Sequence, residues 1–319
     1  MRKLLLAIIM AFTALCANAQ ERMRVIIDND FAGDPDGLFA LAQLVKSPSV
    51  DLRAVVCSHL HKDENWVKPG KPSASTAKES VQALLKTMGH KLSCPIVVGS
   101  ETALSDTTQN VESAATDIII KEARQCSKDK PLYVLCGGGL TEMASAWLRD
   151  RSISERIVLV WIGGAEYPGI LPPPGIKGQE YNTTIDVKAA QVVFNNSDIN
   201  IWQVPRNAYR QCIISHATLY SRTKTAHPVA LYLINMLDRF IGQSKESECY
   251  VLGDSPLVLL TALQTTWERD AASSFFTLES CPVVDADGRY WFGDGRRKIR
   301  VYNKLDTYLM FEDMFAKMQ

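Results

Sequence analysis

VIIDNDFAGDPDGLFALAQL, residues 25–44, carries an apolar run, then Asp28, Asp30, Asp34 and Asp36, then a second apolar run. Val25, Ile26 and Ile27 read as a buried strand, whereas Leu38, Ala40, Leu41 and Leu44 recur at helical spacing. The acids therefore sit where a strand hands over to a helix. In α/β proteins that turn, at the carboxyl end of a strand, is where ligands bind. Carboxylates packed this closely repel one another unless a cation or protons compensate. The stretch reads as half of a metal site.

The chain has 319 residues, enough for a large core in one large domain or two smaller ones. Lys and Arg number 35, as do Asp and Glu, and 46% of residues are hydrophobic. That balance gives no support for nucleic acid or an acidic membrane surface as partner, and points to a small molecule.

Residues 1–19 read as an export signal: Arg2 and Lys3 precede the apolar run Leu4 to Leu15, and Ala17-Asn18-Ala19 offers a cleavage site. Cleavage there makes Gln20 the first residue, and bulky Leu15 before Cys16 disfavours a lipoprotein signal. The expected domain is 20–319, exported to a bacterial periplasm or secreted. No later segment is long and apolar enough to span a bilayer. Seven cysteines remain (Cys57, Cys94, Cys126, Cys136, Cys212, Cys249, Cys281), an odd number without a CxxC pair, which is neither a disulfide framework nor a zinc signature. They read as small buried hydrophobes.

Farther along, Val50 to Cys57 reads as a strand, followed by Ser58, His59 and His61 in a polar loop where Ser58 or His59 could touch a ligand. Lys68 to Ser75 is a connector before a helix from about Ala77 to Met88. Ile96 to Val98 is a short strand, and Ala114 to Cys126 is helical. Leu132 to Cys136 is a strand that runs into Gly137-Gly138-Gly139 and the helix Thr141 to Leu148. Three glycines there suit either a tight turn or close approach of backbone to a ligand, and no Walker Lys-Ser/Thr follows them.

Ile157 to Ile162 is the most continuous apolar run and reads as a central strand. The Pro- and Gly-rich loop Glu166 to Gln179 has the character of a lid or binding loop. Glu180-Tyr181-Asn182 precedes Asp186, an expected N-cap for Val187 to Phe194. Ile199 to Val204 is a strand, His216 to Ile241 is mainly helical, and Asp254 stands at the start of the helix Leu257 to Leu263. In the tail, Asp285 to Gly288 and Gly293 to Gly295 read as hairpin turns. Together these elements predict one Rossmann-like α/β domain, a mostly parallel open sheet flanked by helices, with a C-terminal β-hairpin region.

The acid turn is compatible with few chemistries. An EF-hand loop fails because Ala32 and Phe39 stand where the fifth and twelfth ligands belong. A haloacid-dehalogenase phosphotransferase also opens on strand-D-x-D, but no downstream lysine and paired-acid motif follows. The stretch instead resembles the opening D-x-D-P-G-x-D-D block of the inosine–uridine-preferring nucleoside hydrolase family. Cys136 to Leu148 (CGGGLTEMASAWL), Glu180 to Phe194 (EYNTTIDVKAAQVVF) and Leu252 to Leu260 (LGDSPLVLL) are similar to three further blocks of that family, in family order.

The resemblance implies a Ca²⁺-dependent enzyme that splits the N-glycosidic bond of ribonucleosides, in which Asp30 deprotonates a metal-bound water. It implies metal ligation by Asp30, Asp34, Asp254 and the Gly137 carbonyl, and substrate contacts from Asp36, Glu180 and Asn182. The roles of Asp34 and Asp36 could be exchanged. Asp28 is expected to brace the loop through backbone hydrogen bonds, and a homo-oligomer is plausible. The chain also departs from the family pattern. Gly37 replaces the second acid of the D-D pair, the turn is about two residues longer, and Phe31 and Ala32 replace Pro-Gly. Gly253 stands where many members carry a residue acting on the leaving base, which leaves Tyr181, Trp161 or His59 to handle it. Two other functions fit these departures: a non-catalytic sugar- or nucleoside-binding protein, and a hydrolase of another extracellular glycoside.

Overall fold

The computed structural model describes residues 22–68, 70–176, 178–223, 227–242, 247–265 and 274–319. The expected export signal at 1–19 and its expected cleavage point lie outside the described residues.

The first half of the chain alternates strand and helix: β1 (Met23–Asn29), α1 (Asp36–Val45), β2 (Val50–Cys57), α2 (Ser73–Thr87), β3 (Ile96–Val98), α3 (Ala114–Ala123), β4 (Leu132–Cys136), α4 (Thr141–Arg149) and β5 (Ile157–Ile162). Next come α5 (Tyr181–Ile185), α6 (Val187–Gln191), β6 (Asn200–Val204), α7 (Arg206–Tyr209), β7 (Ile213–Ser215), α8 (His216–Thr223), α9 (Pro228–Ile241), β8 (Cys249–Val251) and α10 (Pro256–Leu259). The tail adds β9 (Phe275–Ser280), β10 (Val283–Val284), β11 (Tyr290–Trp291), β12 (Lys298–Lys304) and α11 (Thr307–Lys317).

Eight strands form the main sheet in the order β3-β2-β1-β4-β5-β6-β12-β9. Every pairing is parallel except that of β9 with β12. Strands buried on both faces are apolar throughout, as β5 is from Ile157 to Ile162. Side chains of β1 alternate between two cores. Val25 and Ile27 pack with Leu38, Leu41 and Leu44 of α1, while Ile26 packs with Val134, Ile119 and Met143 on the other face. Helices thus cover both sides of the sheet. Among the described residues, no helix is long and apolar enough to cross a membrane.

The tail is more than an appendage. The expected hairpin exists as β10 and β11, closed by Gly288 N–H donating to the Asp285 carbonyl. However, β12 enters the main sheet parallel to β6, and β9 closes the edge antiparallel to it. Ile299, Val301 and Tyr302 are buried between the helical layers, and Arg300 lies 4.1 Å over the Trp202 ring and 4.0 Å over Phe276. Short turns around Asp285 and Gly295 mask this insertion in the sequence. Asp186 caps α6 as expected, with Oδ1 accepting from Ala189 N–H. Among the described residues the seven cysteines are unpaired; Cys57, Cys126, Cys136, Cys212 and Cys281 are buried as expected, whereas Cys94 is half-buried and Cys249 exposed.

Candidate active site

The sheet grows outward from β1 through β2 to β3, then returns to place β4 on the other side of β1. That reversal opens a crevice beyond the carboxyl ends of β1 and β4, where open α/β sheets bind ligands. Asp28 pairs in register with Cys136, and Gly137 N–H donates to the Asp28 carbonyl across 3.0 Å. The acid turn and the glycine turn therefore face each other by construction.

A cavity of about 240 Å³ occupies this crevice. It is lined by Asp30, Asp34, Asp36, Gly137, Glu180, Asn182 and Asp254, so the seven residues singled out in the sequence meet in one place. Trp66, Tyr181 and Tyr209 add aromatic walls. Among the described residues, no lysine, arginine or histidine lines it.

The carboxylates are held by neutral donors. Asp254 is 3% exposed, its Oδ2 accepts from Asn29 Nδ2 at 2.8 Å, and its backbone N–H donates to Asp36 Oδ2 at 3.1 Å. The Tyr250 hydroxyl donates to Asp34 Oδ2. Burial pushes the Asp30 and Asp36 carboxyls well above the ordinary range, and the charges of Asp254 and Asp34 push both further. Asp254 is raised as well, chiefly by burial, against the pull of the Asn29 amide. Crowded acids without a cationic neighbour among the described lining residues characterise the cavity.

Glu180 and Asn182 are anchored to backbone. Glu180 caps the N-terminus of α5, accepting from Asn182 N–H and Thr183 N–H. Asn182 Nδ2 donates to the Gly137 carbonyl at 3.0 Å and to the Ile162 carbonyl at 2.7 Å, which leaves its Oδ1 as an acceptor. The Gly137 oxygen keeps a second lone pair.

Asn29 supports the site from behind and is not singled out by the sequence, although it lies inside the decisive stretch. It is 1% exposed and fills the space between three site residues. A Cβ on Gly37 would stand 2.8 Å from its amide, and one on Gly137 would stand 2.2 Å from Nδ2 and 2.7 Å from Asp254 Oδ2. Gly37 is thus a glycine because the Asn29 amide occupies the room beside it. Trp66, Tyr209 and Tyr250 were also missed, since isolated aromatic residues carry no spacing signal.

Other expectations land elsewhere. Trp161 is buried, donates Nε1–H to the Gly138 carbonyl and packs edge-on against Phe194, so it does not line the cavity. His59 is buried between the Leu60 carbonyl and the Thr141 hydroxyl, also away from it. Of the three candidates for the leaving group, only Tyr181 reaches the cavity, with its hydroxyl on Glu64 Oε2 at 3.1 Å and its ring 5.7 Å from Trp66. Asp28 offers its carbonyl to the turn, but its buried carboxylate is in no well-formed hydrogen bond, and burial raises its pKa. The described residues of the loop 166–179 supply none of the lining.

Among the described residues, no three of His, Cys, Asp and Glu form a group that would hold a metal ion as they are placed.

Acids and an aromatic wall thus meet at the switch point of a doubly wound sheet, a place where α/β folds bind small molecules. The sequence matches the family described as inosine-uridine preferring nucleoside hydrolase over residues 25–311. The chain belongs to this family, and so to the enzymes that hydrolyse N-ribosyl bonds. Solved structures agree on the fold. A plant nucleoside hydrolase, PpNRh1, superposes with a TM-score of 0.71 at 16% identity, covering 93% of this chain and 98% of that one. A purine-preferring ribonucleoside hydrolase from Gardnerella vaginalis gives a TM-score of 0.72 at 15% identity, with the same coverages. An inosine-uridine preferring nucleoside hydrolase from Bacillus anthracis gives 0.66 at 17% identity, covering 93% and 100%. A comparison with curated proteins finds no match.

Proposed function

We propose that this chain hydrolyses the N-glycosidic bond of ribonucleosides outside the cytoplasm, with Ca²⁺ as its ion. The observation that carries this reading is the set of Asp30, Asp34, Asp36 and Asp254 around one cavity that holds no cationic side chain among the described residues. A divalent cation suits this donor set of hard oxygens, and Ca²⁺ accepts six to eight of them with loose geometry. Asp30, Asp34, Asp254 and the Gly137 carbonyl are the residues that would hold it, with Asp36 next to Asp34. When bound, the cation would make water more acidic and offset the charge that raises these carboxyls.

The remaining chemistry belongs to the chain. Asp30 takes a proton from the attacking water and directs its oxygen at the anomeric carbon. The new C–O bond forms as the C–N bond breaks, the electron pair leaves with the base, the base takes up a proton from solvent, and Asp30 releases to solvent the proton it took. Positive charge grows on the sugar ring meanwhile, and the carboxylates around the cavity stabilise it. Trp66 and Tyr181 offer a planar apolar surface to the base, on a site whose Gly253 has no side chain to do so. The location rests on the signal-like residues 1–19, and a homo-oligomer remains part of the proposal.

The test is a panel of purine and pyrimidine nucleosides followed for base release, alongside Ca²⁺ titration calorimetry. Base release from at least one nucleoside, with Ca²⁺ binding lost in Asp254→Asn, supports the reading. Intact nucleosides and no calcium binding would overturn it.

A further inference from the structure

Glu180 lines the cavity yet is 1% exposed, and its carboxylate is already fully engaged. Oε2 accepts from Gly164 N–H at 2.7 Å, from Thr183 N–H at 3.0 Å and from the Thr183 hydroxyl at 3.0 Å. Oε1 accepts from Asn182 N–H at 3.1 Å and from the Tyr209 hydroxyl at 3.2 Å. Five donors exceed the roughly four lone-pair sites of a carboxylate. A substrate hydroxyl arriving at Glu180 would have to displace one of them, and four come from the residues that build α5 and its approach.

The fifth donor is different in kind, because Tyr209 itself lines the cavity. It ends α7, a helix fixed from outside the site. Arg206 N–H donates to the Gly164 carbonyl at 3.0 Å, and the Arg206 guanidinium meets both oxygens of Glu166 at 2.7 Å. The tyrosine then spans from Glu180 to the acid turn. A Cβ on Gly253 would lie 3.5 Å from Tyr209 Cδ2 and 3.3 Å from Asp36 Oδ2, so ring and carboxylate close over the bare backbone at Gly253. A phenol has one proton and lone pairs that accept. With the proton given to Glu180, the phenol oxygen of this cavity-lining residue keeps lone pairs that can accept.

Resting on the nucleoside reading above, we propose that Tyr209 is the residue that meets a sugar hydroxyl at this end of the cavity, accepting its proton at Oη. Glu180 is then a positioning residue that acts through Tyr209 by orienting the phenol. The assignment explains why a carboxylate inside a sugar site is spent on backbone. It also makes Tyr209 a determinant of which sugar is accepted.

The experiment pairs enzyme and substrate deletions. Inosine and its 2′-, 3′- and 5′-deoxy forms are compared on the wild type and on Tyr209→Phe, which keeps the ring, by kcat/KM and by quenching of tryptophan fluorescence, since Trp66 lines the cavity. D-ribose is titrated in parallel. In the wild type, loss of the contacted hydroxyl should weaken binding by about three- to tenfold, as for one neutral hydrogen bond. In Tyr209→Phe that one penalty should vanish while the other two persist, a selectivity that general loosening of the fold would not produce. Tyr209→Phe retaining every penalty would overturn the assignment. Ribose and inosine binding with the hydroxyl pattern intact, but without base release, would overturn the nucleosidase reading and leave Tyr209 assigned. Failure of the wild type to bind either compound would overturn both.

Discussion

Asn29 Nδ2 donates to Asp254 Oδ2 across 2.8 Å, joining the end of the first strand to an acid 225 residues later. Both groups are buried, so the bond fixes the orientation of a carboxylate that neither its own turn nor its helix holds. Asn29→Ala leaves that oxygen without its donor. The expected cost is about 1–3 kcal/mol of stability, the penalty for a buried polar group left unsatisfied. Urea unfolding of the two proteins measures it, and equal midpoints would show that the bond does not matter.

Gly37 adjoins the same amide. A methyl group there would stand 2.8 Å from Asn29 Nδ2 and Oδ1, closer than packed atoms sit. Gly37→Ala should cost about 1–3 kcal/mol through overpacking. In the Asn29→Ala background the same change should cost less, because the obstructing amide is gone. Additive losses in this double-mutant cycle would mean that the two residues are independent.

The pH dependence of the cation-free protein follows from Asp30 and Asp36, whose carboxyls are raised by burial and by neighbouring acids. Below the ordinary value of 3.8, folded and unfolded chains are both protonated at these groups. As pH rises above it, the unfolded chain releases protons that the folded site retains, so stability falls through the raised folded values. With EDTA present, the melting temperature should therefore be higher at about pH 5 than at about pH 8, and Asp36→Asn should flatten the difference. Ca²⁺ should remove most of it. An identical slope in wild type and Asp36→Asn would assign the effect to other groups.

Much of this was legible in the sequence because the strands are written as short, mainly apolar runs rich in β-branched residues and bounded by turn signals. Val50 to Cys57, Ile96 to Val98, Leu132 to Cys136 and Ile157 to Ile162 form at those boundaries. The acids were legible because a strand-to-helix turn rarely concentrates so much charge. What stayed hidden depends on contacts between distant segments. The amide of Asn29 acquires its role only when Asp254 is brought to it, and Tyr209 only when α7 is pinned beside Glu180. Glu180 was found as a site residue, but the demands of capping α5 were not visible in its position. Strand β12 was read as hairpin because its pairing with β6 is parallel and non-local.

The most direct test follows base release from inosine and uridine by the full chain with Ca²⁺, after EDTA, after Ca²⁺ is restored, and in Asp30→Asn. Hydrolysis should stop with EDTA, return with Ca²⁺, and fall by about 10²- to 10⁴-fold in the variant, the usual contribution of a positioned general base. Hydrolysis that persists undiminished in EDTA, or in Asp30→Asn, would contradict the proposed function.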